Sequence, residues 1–419
     1  MKVLFIIDEL FPSTNANSRI VFRVIDELLH YPDLQVEILG QAHQVLQRAD
    51  NYHGCRIIHT PFRRYQKYLA VTDKLGSLKR LRYLIYPRTI MYRIARFRGF
   101  NNPYVWEAMR WVKRNCHNYD AIIAMSMPYY NLEIASSVGD KVPVILYPLE
   151  PIAAFNKSAD DFEKRLDYEI SLESRASKLI LTSLIHQDFL SERTRINENK
   201  VLEAEFPCIF SRDPLISEIT DKTDKRISLV FVGRFYEEYR EPDFLCRLLD
   251  CLPENEYDLT IVGGLTFSNY KPAIVNRYLS NTHPFIHCVG FVLQDVADTY
   301  LQKADILVHV GNKQPNLMPS KILDYISTGK PIINLCKTRQ CPTLPLMEKY
   351  PLGLMIFEED GLNETITARV DEFCKKVKGQ RVPFETIQRL YYKYTPEYVG
   401  SVFYRAIQSS VDEFKSCVE

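Results

Sequence analysis

The chain lacks any apolar run of the ~18 residues that a bilayer-crossing helix needs, so its hydrophobic stretches read as core segments. It lacks a CxxC pair, and none of its ten cysteines stands in a Cys/His spacing that resembles a zinc site. With no secretory leader in view, those cysteines read as reduced, mostly structural thiols of the cytosol. An excess of charge of one sign is missing too. Lys and Arg number 53 against 52 Asp and Glu, and the formal net charge of +1 excludes a globally basic nucleic-acid binder. No DxD-type carboxylate cluster stands at a strand end to demand a metal; Asp160-Asp161 falls at a helix start, where acids complement the dipole. There is no internal repeat and no low-complexity stretch. What is present is the composition of an ordinary globular protein, 46% hydrophobic and 25% charged, at a length of 419 residues that suggests two or three domains.

The opening Met1-Lys-Val-Leu-Phe-Ile-Ile-Asp8 is too short for a signal sequence, has no small-residue cleavage site and runs into Glu9, so Val3–Ile7 reads as a buried strand. Similar runs recur at Gln35–Leu39, Ala121–Ala124, Pro143–Tyr147 and Leu179–Thr182, with helical segments at Ser18–Leu29, Tyr104–Asn115 and Asp160–Arg175. A second series has strands at Leu229–Val232, Asp258–Val262, Ile286–Val289, Ile306–His309 and Ile332–Leu335, with helices at Asp243–Leu252 and Val296–Lys303. This alternation predicts an α/β fold of two doubly wound, Rossmann-like domains. Ligands of such sheets bind at the carboxyl ends of the strands, and the cleft that the two domains face is the default active site. The polar stretch Pro207–Lys225 marks the break. It separates an N-terminal domain over 1–206 from a C-terminal domain over 207–395, and a last helix from Pro396 to about Val411 lies beyond.

The stretch Asn316 to Pro331, NLMPSKILDYISTGKP, carries the clearest chemistry. Pro319 suits the first position of a helix, Ser320 to Ser327 has helical periodicity, and Gly329 with Pro331 ends it. Lys321 brings a positive charge to a helix start that already favours phosphate, and Asp324 can accept from two vicinal ribose hydroxyls. The alternative is an ordinary αβ corner in which Lys321 and Asp324 form a surface pair. Upstream, Val232-Gly-Arg-Phe-Tyr-Glu-Glu-Tyr-Arg-Glu-Pro242 leaves the first strand of the second domain through Gly233. Arg234 and Arg240 can there hold diphosphate oxygens in a bidentate manner; the alternative pairs Arg240 with Glu237 or Glu238. The glycines of Val262-Gly263-Gly264 and Val289-Gly290-Phe291-Val292 let a flat base approach the backbone.

In this order, VGRFYEEYREP, IVGG, HCVGFV, ADILVHV and NLMPSKILDYISTGKPII resemble the donor-binding domain of GT-B fold glycosyltransferases. The likeness is to the retaining, family-4-like enzymes that assemble bacterial polysaccharides, and to their capsule-type members. It is specific over about Arg226–Leu335 and looser before that, where Phe11 to Ser18 takes the place of the family's first loop with Ala16 and Asn17 in place of its glycines. The resemblance implies a ribose-binding role for Asp324, at the second Glu of the EX7E motif, and a donor-sugar contact for Asn316, at the first. It implies phosphate binding by Arg234 and by Arg240, which sits one residue off the family's Lys. Ser320, Lys321, Gly233, Gly263, Gly290 and Val292 complete the implied nucleotide site. Glu150, in Tyr147-Pro-Leu-Glu-Pro151, is the nearest counterpart of the N-domain residue that touches the sugar; its alternative is a loop carboxylate capping a turn. The trailing helix matches the family's habit of crossing back to the first domain.

Between Phe62 and Arg98, within an insertion over about 62–100, Arg63, Arg64, Lys67, Lys74, Lys79, Arg80, Arg82 and further arginines interleave with aromatic and aliphatic residues, and Asp73 is the only acid. Such a segment suits an anionic membrane surface. The alternatives are a helical insertion packed on the first domain and, with no recognition motif in support, nucleic acid.

The expected function is a retaining transfer of a sugar from a UDP- or GDP-sugar donor to a growing, lipid-linked glycan, without metal or other cofactor. The expected location is cytoplasmic, on the inner face of the cell membrane, with no nucleic-acid partner. A nucleotide-sugar 2-epimerase of the same fold and a catalytically inactive sugar-nucleotide-binding subunit are the rivals. Leaving-group charge is the physical requirement in each transfer reading, and cationic side chains can meet it.

Overall fold

The computed structural model describes residues 1–9, 16–41, 50–59, 103–126, 129–155, 158–192, 197–211, 226–236, 240–263, 275–279, 283–315 and 317–418. The basic segment, most of the first loop, Glu237, Glu238, Gly264 and Asn316 lie outside them. The chain forms two compact units, one of Met1–Pro207 with Pro396–Glu419 and one of Cys208–Thr395.

Unit 1 is built on eight strands: β1 (Lys2–Glu9), β2 (Gln35–Gln41), β3 (Asn51–Tyr52), β4 (Cys55–Ile58), β5 (Ala121–Met125), β6 (Val144–Tyr147), β7 (Lys178–Leu181) and β8 (Val201–Glu203). Their order is β3-β4-β2-β1-β5-β6-β7-β8, parallel except for the β3–β4 pair. The helices α1 (Ala16–Leu28), α2 (Pro103–Asn115), α3 (Tyr130–Ser136), α4 (Ala159–Glu173) and α5 (Ser183–Glu192) alternate with them. Unit 2 has six strands: β9 (Ile227–Val232), β10 (Tyr257–Val262), β11 (Ile286–Gly290), β12 (Ile306–Val310), β13 (Ile332–Cys336) and β14 (Gly353–Phe357). All pairs are parallel, in the order β11-β10-β9-β12-β13-β14. Its helices are α6 (Asp243–Cys251), α7 (Gln294–Lys303), α8 (Lys321–Ser327), α9 (Leu344–Met347), α10 (Glu364–Val377) and α11 (Phe384–Leu390). Both sheets are thus of the predicted α/β, Rossmann-like kind. The strands that read most clearly, such as Ala121–Met125 and Ile332–Cys336, are buried along their whole length, as central parallel strands must be.

The last helix, α12 (Pro396–Val418), runs seven residues past the expected end at Val411. The apolar periodicity marks only the part that packs. Beyond it the helix continues on polar residues, and Glu413 pairs with Lys178 of β7 at 2.7 Å. Earlier in the helix, Phe403 packs edge-on against Tyr147 at 5.1 Å, and Tyr404 stacks on Tyr31 at 3.8 Å and donates to Asp33 at 3.0 Å. Gly400 makes the α1–α12 approach possible, because a Cβ there would lie 2.5 Å from Glu27 Cβ. Gly400→Val is expected to destabilise unit 1 by about 1–3 kcal/mol through overpacking. A lowered urea midpoint with an unchanged slope checks this.

Candidate functional site

In unit 2 the strand order reverses between β9 and β12, which leave the sheet on opposite sides of a crevice at their carboxyl ends. Glycines end three neighbouring strands there and hydrogen-bond in series: Gly233 N–H donates to Val262 O at 2.9 Å, and Gly263 N–H to Gly290 O at 2.8 Å. Gly263 has φ +139°, and a Cβ on it would lie 1.7 Å from the Gly233 carbonyl oxygen, so no other residue fits. Gly290, at φ +81°, has none of the described residues within 4 Å of a Cβ placed on it. Val292 follows, half-buried between Phe291 and Leu293, which are 78% and 72% exposed.

The loop after β9 is anchored before it presents its cations. Phe235 is buried and stacks on Phe231 at 4.2 Å. Tyr325 of α8 closes the strand end, its hydroxyl accepting from Val232 N–H at 2.6 Å and donating to Val232 O at 3.0 Å. Arg234 is exposed, with its guanidinium 5.9 Å from the Tyr236 ring centroid. Arg240 is held in a tight backbone bridge with Tyr236 and is buried. Its Nε and Nη2 donate to Asn312 Oδ1 at 3.1 and 2.6 Å, so the contact links the β9 loop to the β12 loop across the switch crevice. Burial pushes the guanidinium pKa down. Among the described residues no carboxylate pairs with it; the alternative partners Glu237 and Glu238 lie outside them.

Helix α8 starts at Lys321, two residues after the expected start at Pro319, and is only seven residues long. Ile322 N–H and Leu323 N–H bond three residues back, to Pro319 O and Ser320 O, so the entry is a 3-10 turn. Ser320 is the N-cap residue, is itself in the αR region and makes no side-chain cap. The dipole of so short a helix is small, and the cationic side chains carry more of the field than the sequence implied. Lys321 Nζ lies 3.1 Å from Asp324 Oδ2. The two thus pair with one another, as the ordinary-corner alternative had it, but largely buried rather than on the surface. Lys321 Nζ makes no hydrogen bond of normal geometry there, so the contact is ionic alone.

A buried polar chain behind Arg240 escaped the sequence reading. His309 and Asn334 face each other in register on β12 and β13, with His309 Nδ1 2.6 Å from Asn334 Oδ1. Asn334 Nδ2 donates to Thr343 Oγ1 at 2.7 Å, which turns its oxygen to the ring and makes Nδ1 the protonated nitrogen of His309. The available signal was one polar residue in each of two otherwise apolar strands, ILVHV and IINLC. Burial, and then the charge of Arg240, push the His309 pKa down to about 3, against the hydrogen bond that the ring donates to Asn334. In the unfolded chain the same ring titrates near ~6.5. The unfolded state therefore binds the extra proton first, and stability is complete above ~6.5 and erodes as pH falls toward 3. From pH 7.5 to pH 5, His309 accounts for about 2 kcal/mol of lost stability. Guanidinium unfolding of the parent and of His309→Gln at both pH values checks this, the variant showing the smaller acid loss.

Glu150 belongs to unit 1, on the loop after β6. Ser126 Oγ accepts from Leu149 N–H at 2.9 Å, and the buried Glu169 carboxylate accepts from Ile152 N–H at 3.1 Å, so the loop is pinned on both sides of Glu150. Tyr129 reaches only its backbone oxygen, at 3.4 Å. Its carboxyl has no hydrogen-bond partner among the described residues, and burial pushes its pKa up. The turn-capping alternative therefore finds no support among them.

Residues 226–344 match the family described as Glycosyl transferases group 1. No curated protein matches the chain. Among solved structures it is similar to the lipopolysaccharide outer core galactosyltransferase WaaB, at 14% identity over 98% of this chain and 99% of that one, with a TM-score of 0.55. Anabaena HepE in complex with UDP-glucose is similar at 14% identity over 99% and 100%, with a TM-score of 0.55. The sucrose-phosphate synthase of Thermosynechococcus elongatus is similar at 13% identity over 100% and 98%, with a TM-score of 0.57. No helix among the described residues is long and apolar enough to cross a membrane. Residues 226–344, within unit 2, thus match the Glycosyl transferases group 1 family, and the chain as a whole has the two-sheet α/β fold of these solved structures.

Proposed function

We propose that this protein is a retaining glycosyltransferase that moves a sugar from a nucleoside-diphosphate donor to a growing, lipid-linked glycan in cell-surface polysaccharide synthesis, acting at the inner face of the membrane. One observation carries the reading: a buried Arg240 cation, held only by a neutral amide among the described residues, stands at the switch crevice of a Glycosyl transferases group 1 domain. A cation desolvated in that way binds an incoming diphosphate more strongly than a solvated one. Arg234 and Lys321 add charge near the same strand ends. In the transfer, the bond from the sugar's C1 to the leaving phosphate oxygen breaks, and the acceptor hydroxyl oxygen bonds to C1 on the same face. Its proton passes to the departing phosphate. The cations stabilise the negative charge that gathers there, so no divalent metal is needed. Asp324 holds the ribose hydroxyls once Lys321 turns to phosphate, and Gly233, Gly263, Gly290 and Val292 border the base with Ser320 beside the donor. Asn316 is assigned the donor-sugar role from its place in the sequence, and Glu150 is the candidate sugar-binding acid of unit 1.

Assay of UDP-, GDP- and TDP-sugars with and without EDTA tests the reading. Transfer or slow donor hydrolysis that survives EDTA supports it; inversion at C2 assigns the protein to the epimerases, and binding without turnover to inactive subunits. Lys321→Ala and Asp324→Ala are each expected to weaken nucleotide binding about tenfold, read by calorimetry. If both bind as the parent does, the donor site lies elsewhere. The basic segment supports attachment to an anionic membrane surface, and co-sedimentation with phosphatidylglycerol vesicles, but not with phosphatidylcholine vesicles, is the expected result.

A further inference from the structure

We propose that Asn312 is a positioning residue of the diphosphate site, an amide that aims the Arg240 guanidinium across the switch crevice without neutralising it. The inference rests on the reading of Arg240 as a donor-phosphate ligand. A guanidinium carries five N–H donors in a planar fork. Asn312 Oδ1 takes one from Nε at 3.1 Å and one from Nη2 at 2.6 Å, which is one edge of the fork. Among the described residues nothing accepts from either N–H group of Nη1 or from the second of Nη2, and that end-on edge matches two oxygens of a phosphate. Asn312 is itself oriented, because its Nδ2 donates to Leu317 O at 2.9 Å. The amide nitrogen must face that carbonyl, so its oxygen must face Arg240.

The choice of an amide matters. An aspartate at the same position accepts the same two hydrogen bonds, but it forms a buried ion pair and leaves no net charge for an arriving anion. A small side chain leaves the charge but not its direction. A structural arginine is best served by a carboxylate, whereas one that awaits an anionic ligand is best served by a neutral acceptor. Arg240, with an amide as its only hydrogen-bond acceptor among the described residues, has the second arrangement.

The test titrates UDP, GDP and inorganic pyrophosphate into the full chain by calorimetry, for the parent, Asn312→Asp, Asn312→Ser, Arg240→Gln and the two double variants. Asn312→Asp is expected to weaken binding of these anions about 30-fold and Asn312→Ser less than about tenfold. In the Arg240→Gln background both losses are expected to vanish to within about twofold, because each acts through Arg240. If Asn312→Asp does not fold, as judged by circular dichroism, the Asn312→Ser cycle carries the same decision. Losses of equal size with and without Arg240, or no loss at all, overturn the proposal and make Asn312 a loop-packing residue. Parent-like binding by Arg240→Gln, or a parent that binds none of the three probes, overturns the donor-site reading beneath it, which is a distinguishable result.

Discussion

Arg240→Gln is expected to lower kcat/KM for the nucleotide-sugar donor by about 10²–10³, or roughly 3–4 kcal/mol of transition-state stabilisation. The reason is the position of the charge. The guanidinium is buried and its side-chain hydrogen bonds among the described residues go to the neutral amide of Asn312, so no carboxylate there screens its field at the crevice. Charge on the leaving phosphate grows as the glycosidic bond breaks, so the loss falls more on kcat than on KM. Glutamine retains much of the bulk and some hydrogen bonding but no charge. Arg240→Lys restores the charge without the planar fork and is expected to recover only part of the loss. Exposed Arg234, solvated and resting over Tyr236, is expected to matter less. Steady-state kinetics of Arg240→Gln, Arg240→Lys and Arg234→Gln decides; near-parent kcat in Arg240→Gln removes this residue from the reaction.

Gly263→Ala is expected to cost unit 2 more than about 4 kcal/mol, a magnitude reserved for strain or severe overpacking. Its φ of +139° is reached comfortably only by glycine, and the added Cβ would lie 1.7 Å from the Gly233 carbonyl oxygen. The obstacle is backbone in the β9 exit, which cannot rotate aside. Gly290→Ala is the matched control, since it also has a positive φ, +81°, but meets nothing within 4 Å among the described residues. It is expected to cost about 1–2 kcal/mol from the backbone conformation alone. Urea unfolding followed by tyrosine fluorescence and circular dichroism separates the two; equal costs contradict the steric argument.

These glycines show how far a linear reading reaches. Both are strand-ending glycines, but only the spatial neighbour distinguishes them: Gly233 passes over Gly263, and none of the described residues passes over Gly290. The same limit holds for strands. Ala121–Met125 and Ile332–Cys336 were legible because both faces are buried and the run is wholly apolar. Val201–Glu203 and Gly353–Phe357 lie at sheet edges, are only partly buried along most of their length, and carry too weak a pattern to be read. At the site, Arg234, Arg240, Lys321 and Asp324 were legible as charged residues beside turn signals. Asn312, His309 and Asn334 were not, because nothing in a window of a few residues says that an asparagine 72 positions away will meet Arg240.

By itself, then, the sequence determined the two α/β series, the break between them and the chemical types available at the strand ends. Those follow from periodicity and backbone permissiveness, which are local properties. Tertiary structure alone decided which groups share a charge. It set Lys321 against Asp324, left Arg240 with an amide, and buried His309 in a neutral state. Strand order brings the β9 and β12 loops to one crevice, and desolvation and pairing there depend on distances through space that the order of residues does not encode.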